Sequence, residues 1–159
     1  MIRFTIPGPP FAWRRPLNRK GGGRREDPEV TAEKARIVFY ARGAAGSTTY
    51  PAGPVRLDVT AVFPRPARRP AGCSVETWAT GERCYAVPGT DGSNVRKLVE
   101  DALGTDRTVG WKLYSDDNQV AAGETIQVYA AVVEAPCVEI RVEALPAWEQ
   151  QAGIAGRVG

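Results

Sequence analysis

The stretch Asp91-Gly92-Ser93-Asn94-Val95-Arg96-Lys97-Leu98-Val99-Glu100-Asp101-Ala102-Leu103-Gly104 opens polar and then turns periodic. Val95, Leu98, Val99, Ala102 and Leu103 recur at helical spacing, which predicts a helix over about residues 94–104 with one apolar face. Asp91 or Ser93 suits its N-cap, and Gly104 suits its stop. Asn94, Lys97 and Asp101 fall on another face. A helix with a single apolar face has to pack on something, and the flanking segments read as strands.

Upstream, Ile2, Phe4 and Ile6 alternate with polar residues until Pro7-Gly8-Pro9-Pro10. Residues 8–29, rich in Gly, Pro and Arg, predict a long loop that is mobile without a ligand. Thr31 suits the N-cap of a first helix running to about Arg42, with Ala35, Val38 and Phe39 as its buried stripe and Gly43 as its stop. Val55, Leu57, Val59, Ala61 and Phe63 alternate as a second strand, and residues 64–90 form another irregular segment. Downstream, residues 118–133 read as a strand interrupted at Gly123, followed by a last strand marked by Val138, Ile140 and Val142. Two strands in succession favour an antiparallel hairpin. The expectation is an α/β (α+β) domain over residues 1–145, with an unpatterned, frayed tail over 146–159. Its order is β-α-β-α-β-β, a small mixed sheet of about four strands with helices packed on it.

Composition narrows the chemistry. The 159 residues suffice for a single cored domain, and no apolar run is long enough for a transmembrane helix. MIRFTIPGPP lacks a signal peptide's apolar region, so a cytoplasmic location without membrane contact is expected. Three cysteines and no histidine argue against a disulfide framework and against structural zinc. The missing histidine also removes Ser-His and Cys-His nucleophile systems, leaving a metal, carboxylates or lysine for any hydrolysis.

Charge is unevenly spread. Arg3, Arg14, Arg15, Arg19, Lys20, Arg24 and Arg25 precede the first acidic residue, Glu26, and Arg65, Arg68 and Arg69 form a second group. Such clusters suit nucleic-acid contact or a solvated arm. Trp13 and Trp78 in these loops suit stacking on bases or pinning of the loop. Asp116-Asp117-Asn118-Gln119-Val120 adds an acidic pair beyond the second helix. Carboxylates from two segments make a hard-oxygen site for Mg²⁺ or Mn²⁺, and a nearby lysine suits a phosphate. Asp91 and Ser93 also suit plain caps, Asp116-Asp117-Asn118 a plain turn, and Lys97 a solvated helix position. Asp101, about 15 Å along the helix from Asp91, reads as structural. The ordered series favours metal-assisted phosphodiester hydrolysis.

That series resembles the RusA-like Holliday junction resolvases over most of the chain. The family core runs Pro-Asp-x-Asp-Asn, Lys three residues on, Asp-Ala-Leu, then Asp-Asp-x-Gln-Val. Asn94, Lys97, Asp101-Ala102-Leu103 and Asp116-Asp117-Asn118-Gln119-Val120 match it in order. A gapless count back from Asn94 sets Asp91 on the first aspartate and Ser93 on the second. Counting from Pro88 instead sets Gly89 on the first and Asp91 on the second, with Gly92-Ser93 inserted. Either way one aspartate is replaced. The resemblance implies a homodimer that binds a four-way DNA junction and cuts it with Mg²⁺ or Mn²⁺. It implies Asp91 and Asp117 as metal ligands, Asp116 as a weaker one, and Lys97 near the scissile phosphate. Ser93 becomes a weak neutral ligand. DNA contact falls to Asn94, Arg14, Arg15, Arg19 and Lys20, and to Arg65, Arg68 and Arg69. A catalytically weak or inactive branched-DNA-binding protein on the same scaffold is the alternative.

Overall fold

The computed structural model describes residues 1–14, 17–18, 24–86, 91–105 and 110–146, with the backbone alone at 17, 18, 24, 25 and 105. Arg15, Arg19, Lys20, Pro88, Gly89 and the tail from residue 147 lie outside the described residues. The α+β expectation holds. The sheet has six strands rather than about four, in the order β1 (Ile2–Pro7), β8 (Cys137–Ala144), β4 (Val55–Phe63), β7 (Thr125–Tyr129) and β5 (Cys84–Tyr85). β6 (Val120–Ala122) pairs with β4 off this path, and β2 (Leu17–Asn18) pairs antiparallel with β3 (Arg24–Arg25) as a separate ribbon.

The expected hairpin between the last two strands does not form. β7 runs parallel to β4, and β8 runs antiparallel to β4 on its other side. β4, buried or half-buried along all nine residues, lies between β7 and β8, so the two sequential strands sit on its opposite edges. Gly123 does interrupt the segment, between β6 and β7. Its φ of 133° suits glycine, and a Cβ there would collide with the Leu57 carbonyl.

Among the described residues there are three α-helices, α1 (Pro28–Ala45), α2 (Val75–Thr80) and α3 (Gly92–Glu100). Three features of α1 correct the sequence reading. Its N-cap is Asp27, whose carboxylate takes the Glu29 N–H at 2.9 Å, with Pro28 in the first turn, rather than Thr31. It continues past Gly43 and ends at Gly46, whose N–H bonds the Arg42 carbonyl. Its buried stripe is Val30, Lys34, Ile37, Val38, Ala41 and Ala45, while Phe39 is 73% exposed. The missed first turn rotated the inferred face, because Val30 then lay outside the helix. α2, capped by Ser74, falls inside the segment read as irregular.

α3 follows the sequence reading more closely. Asp91 is its N-cap, and it continues as a π-helical turn over Asp101–Thr105. Gly104 lies inside that turn rather than after it. A Cβ at Gly104 would run into the Tyr114 ring, so glycine here permits packing instead of termination. Ile2, Phe4, Ile6, Val138, Ile140, Val142 and the inward residues of β4 share one core with α1 and α3. Burying Val30, Ile37 and Val38 of α1 alone contributes about 1.5–3 kcal/mol each. Among the described residues no helix is long and apolar enough to cross a membrane.

Candidate active site on the polar edge of the third helix

The apolar side of α3 (Val95, Leu98, Val99) is buried, which turns Asp91, Ser93 and Lys97 to solvent. Asp91 Oδ1 accepts the Ser93 N–H at 2.9 Å. This backbone bond, followed by the Ser93 hydroxyl, holds the exposed Asp91 carboxyl below the usual carboxylate range. Asp91 and Ser93 line a pocket of about 380 Å³ together with Tyr85, Gly92, Thr125 and Gln127. The Asn94 carbonyl accepts the Trp13 N–H at 3.0 Å, which lays the start of the basic arm across α3.

One turn on, Lys97 Nζ lies 5.4 Å from the centre of the Trp13 ring and 3.3 Å from Asp101 Oδ1, with its side chain 47% exposed. Lys34 of α1 reaches the other Asp101 oxygen at 3.8 Å and Glu26 Oε1 at 2.6 Å. Arg14 ties the other stem of the arm down, through Glu29 at 2.7 Å and Asp27 at 3.6 Å. Both roots of the arm therefore meet over the same edge of α3.

The second acidic segment forms a 3₁₀ turn, Asp117–Gln119, with Asp116 as N-cap. The Asp116 carboxylate takes the Asn118 N–H at 2.8 Å. That bond first, and a hydrogen bond with the Asp117 side chain second, hold Asp116 below the usual carboxylate range. Gln119 is structural: its Oε1 accepts from Ser115 at 2.8 Å and Asp116 at 3.0 Å, and its Nε2 donates to the Gly53 carbonyl at 2.8 Å. Asp117 acts with Glu100 and Asp101 on Tyr114. Burial first and these carboxylates second raise the Tyr114 pKa well above its ordinary value. The Tyr114 hydroxyl donates to the Glu100 carbonyl at 3.1 Å, at the far end of α3. Asp91 and Glu100 are about 14 Å apart along the helix axis.

The structure thus pairs Asp116 with Asp117, and Asp91 with Ser93. Two adjacent, exposed carboxylates with open oxygen atoms fit a hydrated Mg²⁺, which takes one or two protein carboxylates and keeps several waters. Among the described residues the one group of three ligating side chains within 4.8 Å of each other is Glu134, Cys137 and Glu139. That trio does not fit the same ion. Arg83 already bridges both carboxylates, contacting Glu139 at 2.6 Å and Glu134 more closely. Burial, followed by Glu139 and Glu134, raises the Cys137 thiol, so its soft sulfur stays protonated.

In the second basic segment Arg65 is held against the body while Arg68 and Arg69 are exposed. Arg65 donates to the carbonyls of Glu82, Trp78 and Ala130 at 2.9, 3.0 and 3.1 Å, and its guanidinium stacks 3.8 Å from the Trp78 ring centre. Trp78 pins the loop. Arg69 donates to the Cys73 carbonyl, and Arg68 is exposed.

A family model described as endodeoxyribonuclease RusA matches residues 7–143. The chain belongs to the RusA endodeoxyribonuclease family. No curated protein matches it. In this RusA-family chain the matched span contains the whole polar edge of α3, the acidic turn and both roots of the arm. Lys34 is the residue at this site that the sequence reading missed. Its signal was available: it lies four residues after Val30 on the buried stripe, once α1 is started at Pro28.

Proposed function

We propose that this chain is a divalent-metal-dependent endonuclease that resolves four-way DNA junctions as a homodimer. The observation that carries this reading is Lys97, half-exposed on α3 beside Trp13, within a chain whose RusA match spans both. Two positions offer hard oxygen ligands for Mg²⁺ or Mn²⁺: Asp117 with Asp116 beside it toward one end of α3, and Asp91 with Ser93 at the other. The ion would lower the pKa of a bound water and polarise the phosphate. Lys97 offers a mobile ammonium to a phosphate oxygen as negative charge builds there. Asn94 and the arm residues Arg14, Arg15, Arg19 and Lys20 hold the junction backbone, with Arg68 and Arg69 as the exposed members of the second cluster. Symmetric incision of a four-way junction requires two sites related by a two-fold axis, which a C₂ dimer supplies.

The test is incision of a synthetic four-way junction by the full chain in Mg²⁺ or Mn²⁺, against linear duplex and against chelator. Paired, symmetry-related nicks confined to the junction support the reading. Tight junction binding with no incision in either metal favours the binding-protein reading, for which Ser93 in place of a family aspartate is the specific observation. A monomer in sedimentation, both free and on junction DNA, overturns the dimer.

A further inference from the structure

Among the described residues Lys34 is the one polar or charged residue in the buried core, at 7% exposure. An ammonium so placed is costly unless it is paired. Its two partners are not neighbours in the chain. Glu26 lies at the arm's C-terminal root, just after the β2–β3 ribbon, and its second oxygen takes the Thr31 hydroxyl at 3.2 Å. Asp101 begins the π turn after α3 and is 15% exposed on its side chain. Asp101 divides its oxygens: Oδ2 faces Lys34 at 3.8 Å, and Oδ1 holds Lys97 at 3.3 Å.

We propose that Lys34 is a positioning residue that keeps Lys97 available to a phosphate by sharing its carboxylate. This rests on the function proposed above. Two ammonium groups on one carboxylate repel each other, and each weakens the other's hold. Lys34 is buried and fixed, so the half-exposed Lys97 is the one free to leave. Removing the Lys34 charge deepens the pull of Asp101 on Lys97 and draws that ammonium away from solvent. Lys34 thereby acts on DNA through Lys97 without touching DNA.

The experiment is four-way junction binding by the full chain in chelator, measured as the slope of log affinity against log salt. Each phosphate neutralised contributes about 0.9 to that slope. Lys97→Gln is expected to lower the wild-type slope by about 0.9. Lys34→Met is expected to lower it by a similar amount, with no further change on adding Lys97→Gln. Asp101→Asn added to Lys34→Met is expected to restore the slope, because it releases Lys97. A merely structural ion pair predicts the opposite, with the second lesion adding to the first. Equal loss from Lys97→Gln in the wild-type and Lys34→Met backgrounds overturns the role of Lys34 alone. No loss from Lys97→Gln in wild type overturns both this inference and the site reading beneath it. Should Lys34→Met fail to fold, Lys34→Gln removes the same charge while keeping a donor for Glu26, and is judged by the same slopes.

Discussion

On the open face of the sheet, Arg83 lies between Glu134 and Glu139. On the helix-covered face, Lys34 and Lys97 share Asp101. Both clusters set cations against carboxylates in partly buried surroundings, yet they are finished differently. Arg83 satisfies its partners with near-bidentate contacts, Nε and Nη2 to Glu134 and Nη1 and Nη2 to Glu139, with no cation left over. At Asp101, one cation is buried and the other is 47% exposed beside Trp13. A saturated cluster stabilises a fold; a cluster with a movable member can act on a ligand. Proximity of ligating atoms alone would have chosen the wrong one, since Glu134, Cys137 and Glu139 lie closest together.

The largest expected effect breaks the comparison at the open cluster. Asp117→Asn or Lys97→Ala should lower single-turnover junction cleavage by about a hundredfold or more, the scale of losing one electrostatic contact to a transition state. Both side chains are exposed, so thermal unfolding should barely move. A loss of folding that matches the loss of cleavage would return both residues to the structural side.

Next comes the closed cluster. Breaking a fully buried pair costs about 3–5 kcal/mol, and solvent exposure of a quarter to two-fifths here reduces that to about 2 kcal/mol for Arg83→Met. In a chain of this size that is a fall in Tm of about 6 °C, with cleavage per folded molecule unchanged. The Arg83 hydrogen bonds hold Glu134 below its ordinary 4.5. The unfolded chain therefore takes up protons first, and the pair's stabilisation is complete at neutral pH and lost as pH falls below 4.5. The deficit of Arg83→Met against wild type should close over that acid range in pH-dependent unfolding. A deficit that stays constant with pH would mean the pair is not its source.

Much of this architecture was legible because β1, β4 and β8 alternate cleanly and α3 has one apolar face. What was not legible has physical causes. The parallel pairing of β4 with β7 is a long-range choice that no local pattern encodes. Asp27-Pro28 starts α1 earlier than Thr31, and that shift concealed Lys34 on the buried stripe. At the site, sequence spacing brought Asp91, Lys97 and Asp117 into one list. It could not say that Asp117 lies with Tyr114 and Glu100, toward the far end of the helix that Asp91 starts.

A smaller effect compares the two basic segments by salt titration of junction binding. Replacing Arg14, Arg15, Arg19 and Lys20 with Ala should flatten the slope by up to about 3 to 4, at about 0.9 per phosphate. Arg68→Ala should flatten it by about 0.9 at most. Arg65→Ala should leave the slope alone and lower Tm instead, because its guanidinium is engaged by three carbonyls and Trp78. A slope change from Arg65→Ala without destabilisation would show that the second segment opens to meet DNA.

The smallest expected effect concerns Ser93. Its N–H and then its hydroxyl hold Asp91 ionised, so the serine already supports the carboxylate it stands beside. Ser93→Asp keeps the N–H, removes the hydroxyl donor and adds a second negative charge. In the first turn of a helix that charge is favoured by the dipole, and the Asp91 cap keeps its bond to the residue-93 N–H, so the fold should lose little. Without metal, repulsion should raise Asp91 back toward its ordinary range. With a divalent cation, the two carboxylates should bind together, giving a few-fold rise in cleavage at subsaturating Mg²⁺. The gain in Tm on adding Mg²⁺ should also be larger than in wild type, a readout that does not depend on turnover. If Ser93→Asp changes neither, the alternative alignment directs the same experiment to Gly89→Asp. If both are silent on a measurable wild-type rate, Asp116 supplies the missing charge. It stands beside Asp117 in the same turn, and Asp116→Asn should then raise the Mg²⁺ concentration needed for half-maximal cleavage. Wild type and variants that all bind junctions tightly without cutting them would make the open cluster a DNA-holding device rather than a catalytic one.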